Sequence, residues 1–219
     1  MKIRLAVIIF ALSLASCSNP ASDKPKAVTS DAAPASSAPA QGVKYSITPE
    51  NSKIEFVGSK VTGKHNGGFG KFSGTINYNG SPEKSSVTIN IDAASISADD
   101  PGLTKHLQSP DFFDVAKYPE ATFTSTSITP GGDKGATHTV TGNLTMHGVT
   151  KSITFPATIT PVPGSAASTG AGASGSPEAI TVDATFSINR KDFGINYAGA
   201  SDNLIRDEVV LSLKVRATK

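Results

Sequence analysis

Three separate runs of this chain place an apolar side chain at every second residue, and that alternation limits the fold more than any other feature. In Ser86–Asp92, Val87, Ile89 and Ile91 share one face, while Thr88, Asn90 and Asp92 share the other. In Ile180–Ile188 one face carries Ile180, Val182, Ala184, Phe186 and Ile188. In Val209–Val215 it carries Val209, Leu211, Leu213 and Val215. Successive side chains of a strand point to opposite sides of its sheet, so a period of two marks a strand with one buried face. Lys53–Lys60, Gly70–Tyr78, Ala121–Ile128, Thr137–Met146 and Lys151–Ile159 read the same way, which makes about eight strands. No stretch repeats apolar residues at the helical period for the length of an ordinary helix; only Pro101–Leu107 leaves room for a short one.

Glycine punctuates these runs. Asn79-Gly80, Gly131-Gly132 and His147-Gly148 are turn signals, and His147-Gly148 stands between two Thr-rich runs as a hairpin bend does. Gly67, Gly68 and Gly70 bracket Phe69, which points to a bend or bulge. Pro161 to Glu178 is largely Gly, Ala and Ser and reads as a flexible surface loop. About eight antiparallel strands, each with one apolar face, form either a sandwich or a closed barrel. Alternation alone does not choose between them.

The two ends of the chain carry different information. Lys2 and Arg4 precede the apolar run Leu5–Leu14, which is shorter than the roughly 20 residues a membrane-spanning helix needs and fits an export signal over residues 1–16. Leu14-Ala15-Ser16-Cys17 resembles the bacterial lipoprotein signal, in which the cysteine is lipidated and becomes the mature N-terminus. Cys17 is the only cysteine, so no internal disulfide is available. Residues 17–42 are rich in Ala, Ser and Pro with no periodic apolar face. They are expected to form a disordered, lipidated tether with a reach of roughly 25–30 Å. Residues 43–219 suffice for one domain. Ser18 follows the cysteine where Asp would mark inner-membrane retention, which points to an outer-membrane lipoprotein facing the periplasm of a bacterial envelope.

The stretch from His106 to Pro119 contains Phe112 and Phe113 between Asp111 and Asp114, in a segment broken by Pro110 and Pro119. Proline fixes φ and removes a donor, so this is neither mid-helix nor a central strand. An ordered turn carrying large apolar side chains covers something, and the cap over the end of a β structure is the natural reading.

Other function classes find little support. Net charge is +2 with Lys and Arg scattered, so no basic stripe suggests nucleic acid. His65, His106, His138 and His147 are dispersed without metal-ligand spacing, and no metal or cofactor is expected. There is no Gly-x-Ser-x-Gly elbow or phosphate loop, and no catalytic residue can be named.

His106-Leu107, Ser109, Asp111-Phe-Phe-Asp114 and Lys117-Tyr-Pro119, with Phe123 and Ser125-Thr126, resemble the signature of the YceI-like family of bacterial lipid- and polyisoprenoid-binding proteins. Gly142–Lys151 is similar to that family's following hairpin. Phe186–Ile195, then Asp207, Val209 and Leu211, are similar to its C-terminal part. The resemblance spans about Tyr45 to Ala217. Tyr45 stands where the family often has Trp, and Leu103-Thr104-Lys105 where it often has an Arg-Asp pair.

The resemblance implies an all-β, lipocalin-like antiparallel barrel of about eight strands with a short capping loop or helix. It also implies a non-enzymatic carrier for a long apolar lipid: a polyisoprenoid or quinone tail, or a fatty-acid-like chain. Inward side chains expected to touch that ligand are Phe56, Phe72, Ile76, Val87, Ile89, Ile91, Phe112, Phe113, Phe123, Leu144, Met146, Phe155, Phe186 and Ile188. Arg190 and Asp192 read either as a head-group mouth or, the preferred reading, as a salt-bridged turn. The alternative function is an envelope adaptor that uses the barrel only as a scaffold. Pairing of two chains is left open.

Overall fold

Every run with the period-two pattern is a strand in the computed structural model, which describes residues 19–34, 42–164, 176–197, 199 and 204–219. In chain order the strands are β1 (Val28–Asp31), β2 (Val43–Ile47), β3 (Lys53–Lys60), β4 (Gly63–Phe69), β5 (Phe72–Tyr78), β6 (Ser86–Asp92), β7 (Ile96–Ala98), β8 (Glu120–Pro130), β9 (His138–Met146), β10 (Val149–Val162), β11 (Ala179–Asn189) and β12 (Glu208–Thr218). One helix, α1 (Pro101–Gln108), follows β7.

Eight strands close into an antiparallel ring in the order β10-β9-β8-β6-β5-β2-β12-β11 and back to β10. The expected barrel is therefore present. Seven of the eight runs read from the sequence lie in the ring; β3 does not, and β2 takes its place. β2 and β3 share one edge of β12: Ser46 pairs with Thr218, whereas Lys53–Val57 pair with Val210–Lys214. From there β3, β4 and β7 extend as a side flap.

The connections follow from local chemistry. His147 and Gly148 both have positive φ (52° and 73°) and join β9 to β10 as a two-residue hairpin, with Met146 opposite Val149; such turns need the left-handed region at both positions. On β9, Gly142 faces the Phe123 ring, with which a Cβ there would collide. Asp100 caps α1 by accepting from the Leu103 N–H at 2.6 Å, and Pro101 occupies the first helical turn, where its missing N–H costs nothing. Residues 165–175 of the expected flexible loop, and Cys17 with the signal segment, lie outside the described residues.

The expectation of a free tether over 17–42 is corrected at residues 19–34. β10 pairs with β11 only through Thr158–Val162. Further along the same edge of β10, the two strands part. β1 lies in that gap, with Val28–Asp31 antiparallel to Lys151–Thr154. On its other side Ala27 N–H donates to Ser187 O, and Ser187 N–H donates to Pro25 O, both at 2.8 Å. Asn143 clasps Ala33 through two bonds of 3.0 and 2.7 Å. Strand addition of this kind uses main-chain groups, so it needs no apolar periodicity. Only small side chains are buried there, Ala21 and Ala27.

Candidate functional site

The inward faces of the ring enclose a cavity of about 300 Å³. Its wall takes Val209, Leu211, Leu213 and Val215 from β12, Val87, Ile89 and Ile91 from β6, and Val182, Phe186 and Ile188 from β11. Ile76, Ala121, Phe123, Ile128, Val140, Leu144, Met146, Ile153, Phe155 and Ile159 continue it around the barrel, and Ile47, Ile54 and Phe56 complete it. Several of these side chains, Val87, Ile91, Val182, Val209, Leu211 and Leu213 among them, remain only half-buried although they point inward. Partial exposure of side chains that line a cavity fits unfilled space beside them.

Of the fourteen side chains expected to face a ligand, all but Phe72 line this space. Phe72 shares the inward face of β5 with Ile76 and is buried in the core. It opens the strand, however, opposite Ile91, and packs at the barrel's end rather than in the cavity wall. The β12 face was visible as alternation but not as ligand-facing wall. Ile205, Arg206, Ser59 and Tyr197 carried no signal of their own, because chain segments distant in sequence bring them to the cavity.

The ends of the barrel differ. At one end Tyr45 is fully buried, its hydroxyl donating to Pro177 O and its ring meeting Tyr78 edge-on at 6.2 Å. Desolvation pushes the Tyr45 phenol above its ordinary pKa. At the other end lies α1. Its residues Leu103, His106 and Leu107 line the cavity at the i, i+3, i+4 spacing that places side chains on one helix face. Phe112 and Phe113 follow, with Phe113 N–H donating to Leu107 O at 3.0 Å. Tyr197 stacks on Phe112 at 5.4 Å, and His106 meets both rings edge-on at 4.9 and 5.3 Å. The segment singled out as a cap therefore sits over this end. The polar members of the wall, Ser59, Lys60, His65, His106, Arg190 and Arg206, belong to it too.

The histidines serve as links. His106 Nε2 lies 2.9 Å from Asp111, His65 Nδ1 2.8 Å from Asp99, His138 Nε2 3.2 Å from Glu83, and His147 Nδ1 3.3 Å from Phe193 O. Among the described residues no three His, Cys, Asp or Glu side chains gather as a metal site. Arg190 is 4% exposed; its guanidinium donates to Ile195 O at 2.7 Å and Asp207 at 3.2 Å. Among the described residues the ion pair of Arg190 is therefore with Asp207, not with the Asp192 expected from the sequence.

Asp99 ties the flap to the helix. Its carboxylate accepts from the Asn66 backbone N–H at 2.8 Å and bonds to His65. These bonds, that backbone donor foremost, hold the Asp99 carboxyl below its ordinary pKa. A carboxyl whose folded pKa is depressed stabilises the fold above its unfolded pKa and loses that contribution as pH falls through the folded value. The flap is therefore expected to loosen in acid below about pH 4. The protection factors of the β4 amides, taken relative to the slower intrinsic exchange in acid, should fall there in the native chain but not in Asp99→Asn. Protection in the native chain that is unchanged between neutral and acid pH would contradict this.

Three comparisons bear on the family. The model of the YceI-like domain matches residues 45–217. A UPF0312 protein of Pseudomonas putida is 39% identical over 140 residues, 64% of this chain and 68% of that protein. The crystal structure of Burkholderia cenocepacia BcnA superposes with a TM-score of 0.64 at 27% identity, covering 78% of this chain and 99% of that one. A Campylobacter jejuni YCEI protein gives a TM-score of 0.56 at 28% identity, covering 70% and 84%. A polyisoprenoid binding domain from Saccharophagus degradans gives 0.59 at 20% identity, covering 80% and 97%, a likeness of fold alone.

Proposed function

This chain belongs to the YceI-like family, and from that premise we propose that it is a binding protein holding one long apolar lipid inside its barrel. The observation that carries the proposal is the size and chemistry of the cavity. At about 24 cal/mol per Å³, an empty void of about 300 Å³ costs on the order of 7 kcal/mol. Total stabilities of folded domains are only about 5–15 kcal/mol. Water offers little relief, since an apolar cavity of about half this volume stays dry and admits benzene instead. An apolar guest removes the cost.

Each methylene moved from water into the bore contributes roughly 0.8 kcal/mol, offset in part by ordering the chain. With so apolar a wall, selectivity rests on the bore's length and shape. A polyisoprenoid or quinone tail is the first candidate and a fatty-acid-like chain the second. A neighbour of the same fold is named for polyisoprenoid binding, which supports that order. Among the described residues of the wall no histidine is hydrogen-bonded to a serine or other nucleophile, which supports a carrier rather than a catalyst.

Attachment to the bacterial envelope through a lipid on Cys17, facing the periplasm, belongs to the same proposal and rests on the sequence motif. Organic extraction and native mass spectrometry of the purified protein should recover one lipid per barrel. Its removal should lower the melting temperature, since a ligand at about 100 times its Kd contributes about 2.7 kcal/mol. A lipid-free protein whose melting temperature no added long-chain lipid raises would end the proposal.

A further inference from the structure

The α1 end of the cavity holds a guanidinium, that of Arg206, which no carboxylate among the described residues balances. The last residues of β3 and Val61 after it pair with residues 204–206. Arg206 N–H donates to Ser59 O at 2.9 Å, Val61 N–H to Leu204 O at 3.0 Å, and Lys60 bridges Ile205. This pairing sets Ser59 and Arg206 side by side, and both line the cavity. Ser59 is only 6% exposed, and its Oγ is buried with no hydrogen-bond partner. Arg206 Nε is likewise buried and unsatisfied. Among the described residues no carboxylate pairs with Arg206. Its sequence neighbour Asp207 is taken instead by Arg190 and Lys191, at 3.2 and 3.0 Å.

Buried polar groups are almost always satisfied, and an exception calls for an explanation. Ser59 Oγ and Arg206 Nε are thus shielded and unsatisfied beside the bore, and Arg206, only half-buried in its wall, brings donors there with no counter-charge among the described residues. An arginine fork matches the oxygens of a carboxylate or phosphate, and bonds between charged partners are about twice as strong as neutral ones. We propose that Ser59 and Arg206 form a head-group subsite for an anionic end, carboxylate or phosphate, of an apolar chain whose tail fills the bore. Exposed Lys60, also in the wall at this end, adds a second positive charge beside it. The subsite rests on the lipid-carrier reading and narrows it: of the candidates named above it keeps a polyisoprenoid or fatty-acid-like chain with an acidic end and removes the neutral quinone.

The test uses the full chain and three probes of equal tail length: hexadecanoic acid, hexadecyl phosphate and hexadecanol. Each competes with an apolar fluorescent dye bound in the barrel. The native protein should bind at least one of the two acids about tenfold or more tighter than the alcohol, each factor of ten being about 1.4 kcal/mol. A preference confined to one acid identifies the head as that one. Arg206→Gln and Ser59→Ala should remove most of the preference while leaving hexadecanol within about twofold. Arg206→Lys, which keeps the charge and loses the fork, should retain part of it, and it serves if Arg206→Gln does not fold. Equal affinity for all three probes, or a preference that survives these substitutions, overturns the subsite and leaves the carrier reading intact. Failure of all three probes to displace the dye overturns both.

Discussion

Leu211→Trp, and separately Val87→Trp, will leave the barrel folded and empty it of lipid. Both side chains lie on inward faces, line the cavity and are only half-buried. A larger side chain can therefore grow into open space instead of displacing packed neighbours. Overpacking a filled core usually costs about 1–3 kcal/mol, and here most of that strain is avoided. The ligand loses what the indole occupies. Displacing three or four methylenes removes about 2.5–3 kcal/mol of transfer energy, roughly a hundredfold in Kd.

Phe186→Ala provides the contrast. Phe186 is 1% exposed and stacks on Phe155 with ring centroids 4.2 Å apart. Its truncation should cost about 3–5 kcal/mol of stability, whatever it does to binding. Lipid content by mass spectrometry and denaturation midpoints together separate the two effects. If the tryptophan variants retained lipid at native stoichiometry, the bore would not be where the lipid sits.

That distinction between wall and core marks the limit of what alternation tells. Val209, Leu211 and Leu213 are legible as one face of a strand, because a period of two is a local property. Whether the space facing them is filled depends on the opposite side of the barrel, which no local pattern records. Phe72 shows the converse: it is on the right face, yet at a strand end. β2 and β4 were not legible, the first for want of length and the second because three of the seven residues of Gly63–Phe69 are glycine and only Phe69 is apolar and large. The closed ring nevertheless needs β2, so the count of eight came out with one member exchanged. Ser59 and Arg206 could not have been singled out, since their juxtaposition arises from pairing between segments almost 150 residues apart in sequence. The cap over Leu107–Phe113, by contrast, was visible in its own composition, where aromatic side chains sit in a proline-bounded turn.

Removing residues 19–34 will open the barrel wall between β10 and β11. β1 and residues 25–27 are the only described backbone that bridges these strands where they part, through the β1–β10 ladder and the Ser187 bonds. The lost bonds include several main-chain pairs, worth about 0.5–1.5 kcal/mol each, and the Lys151–Asp31 contact at 3.0 Å adds little because Asp31 is exposed. A destabilisation of roughly 2–4 kcal/mol follows once water has replaced part of the pairing. The functional cost should be larger. Ile153, Phe155, Phe186 and Ile188 come from the two strands flanking the gap, and all four line the cavity. Water admitted there meets the lipid directly, and dissociation should quicken by more than the stability loss alone suggests. Urea unfolding, hydrogen exchange at Ser152, Thr154 and Ser187, and the lipid off-rate together measure the effect. Unchanged exchange at those three amides would mean that the segment does not occupy the gap in solution. If it does, and Cys17 carries a lipid, only Ser18 separates the anchor from the docked segment, and the barrel wall rests against the membrane instead of trailing a long tether.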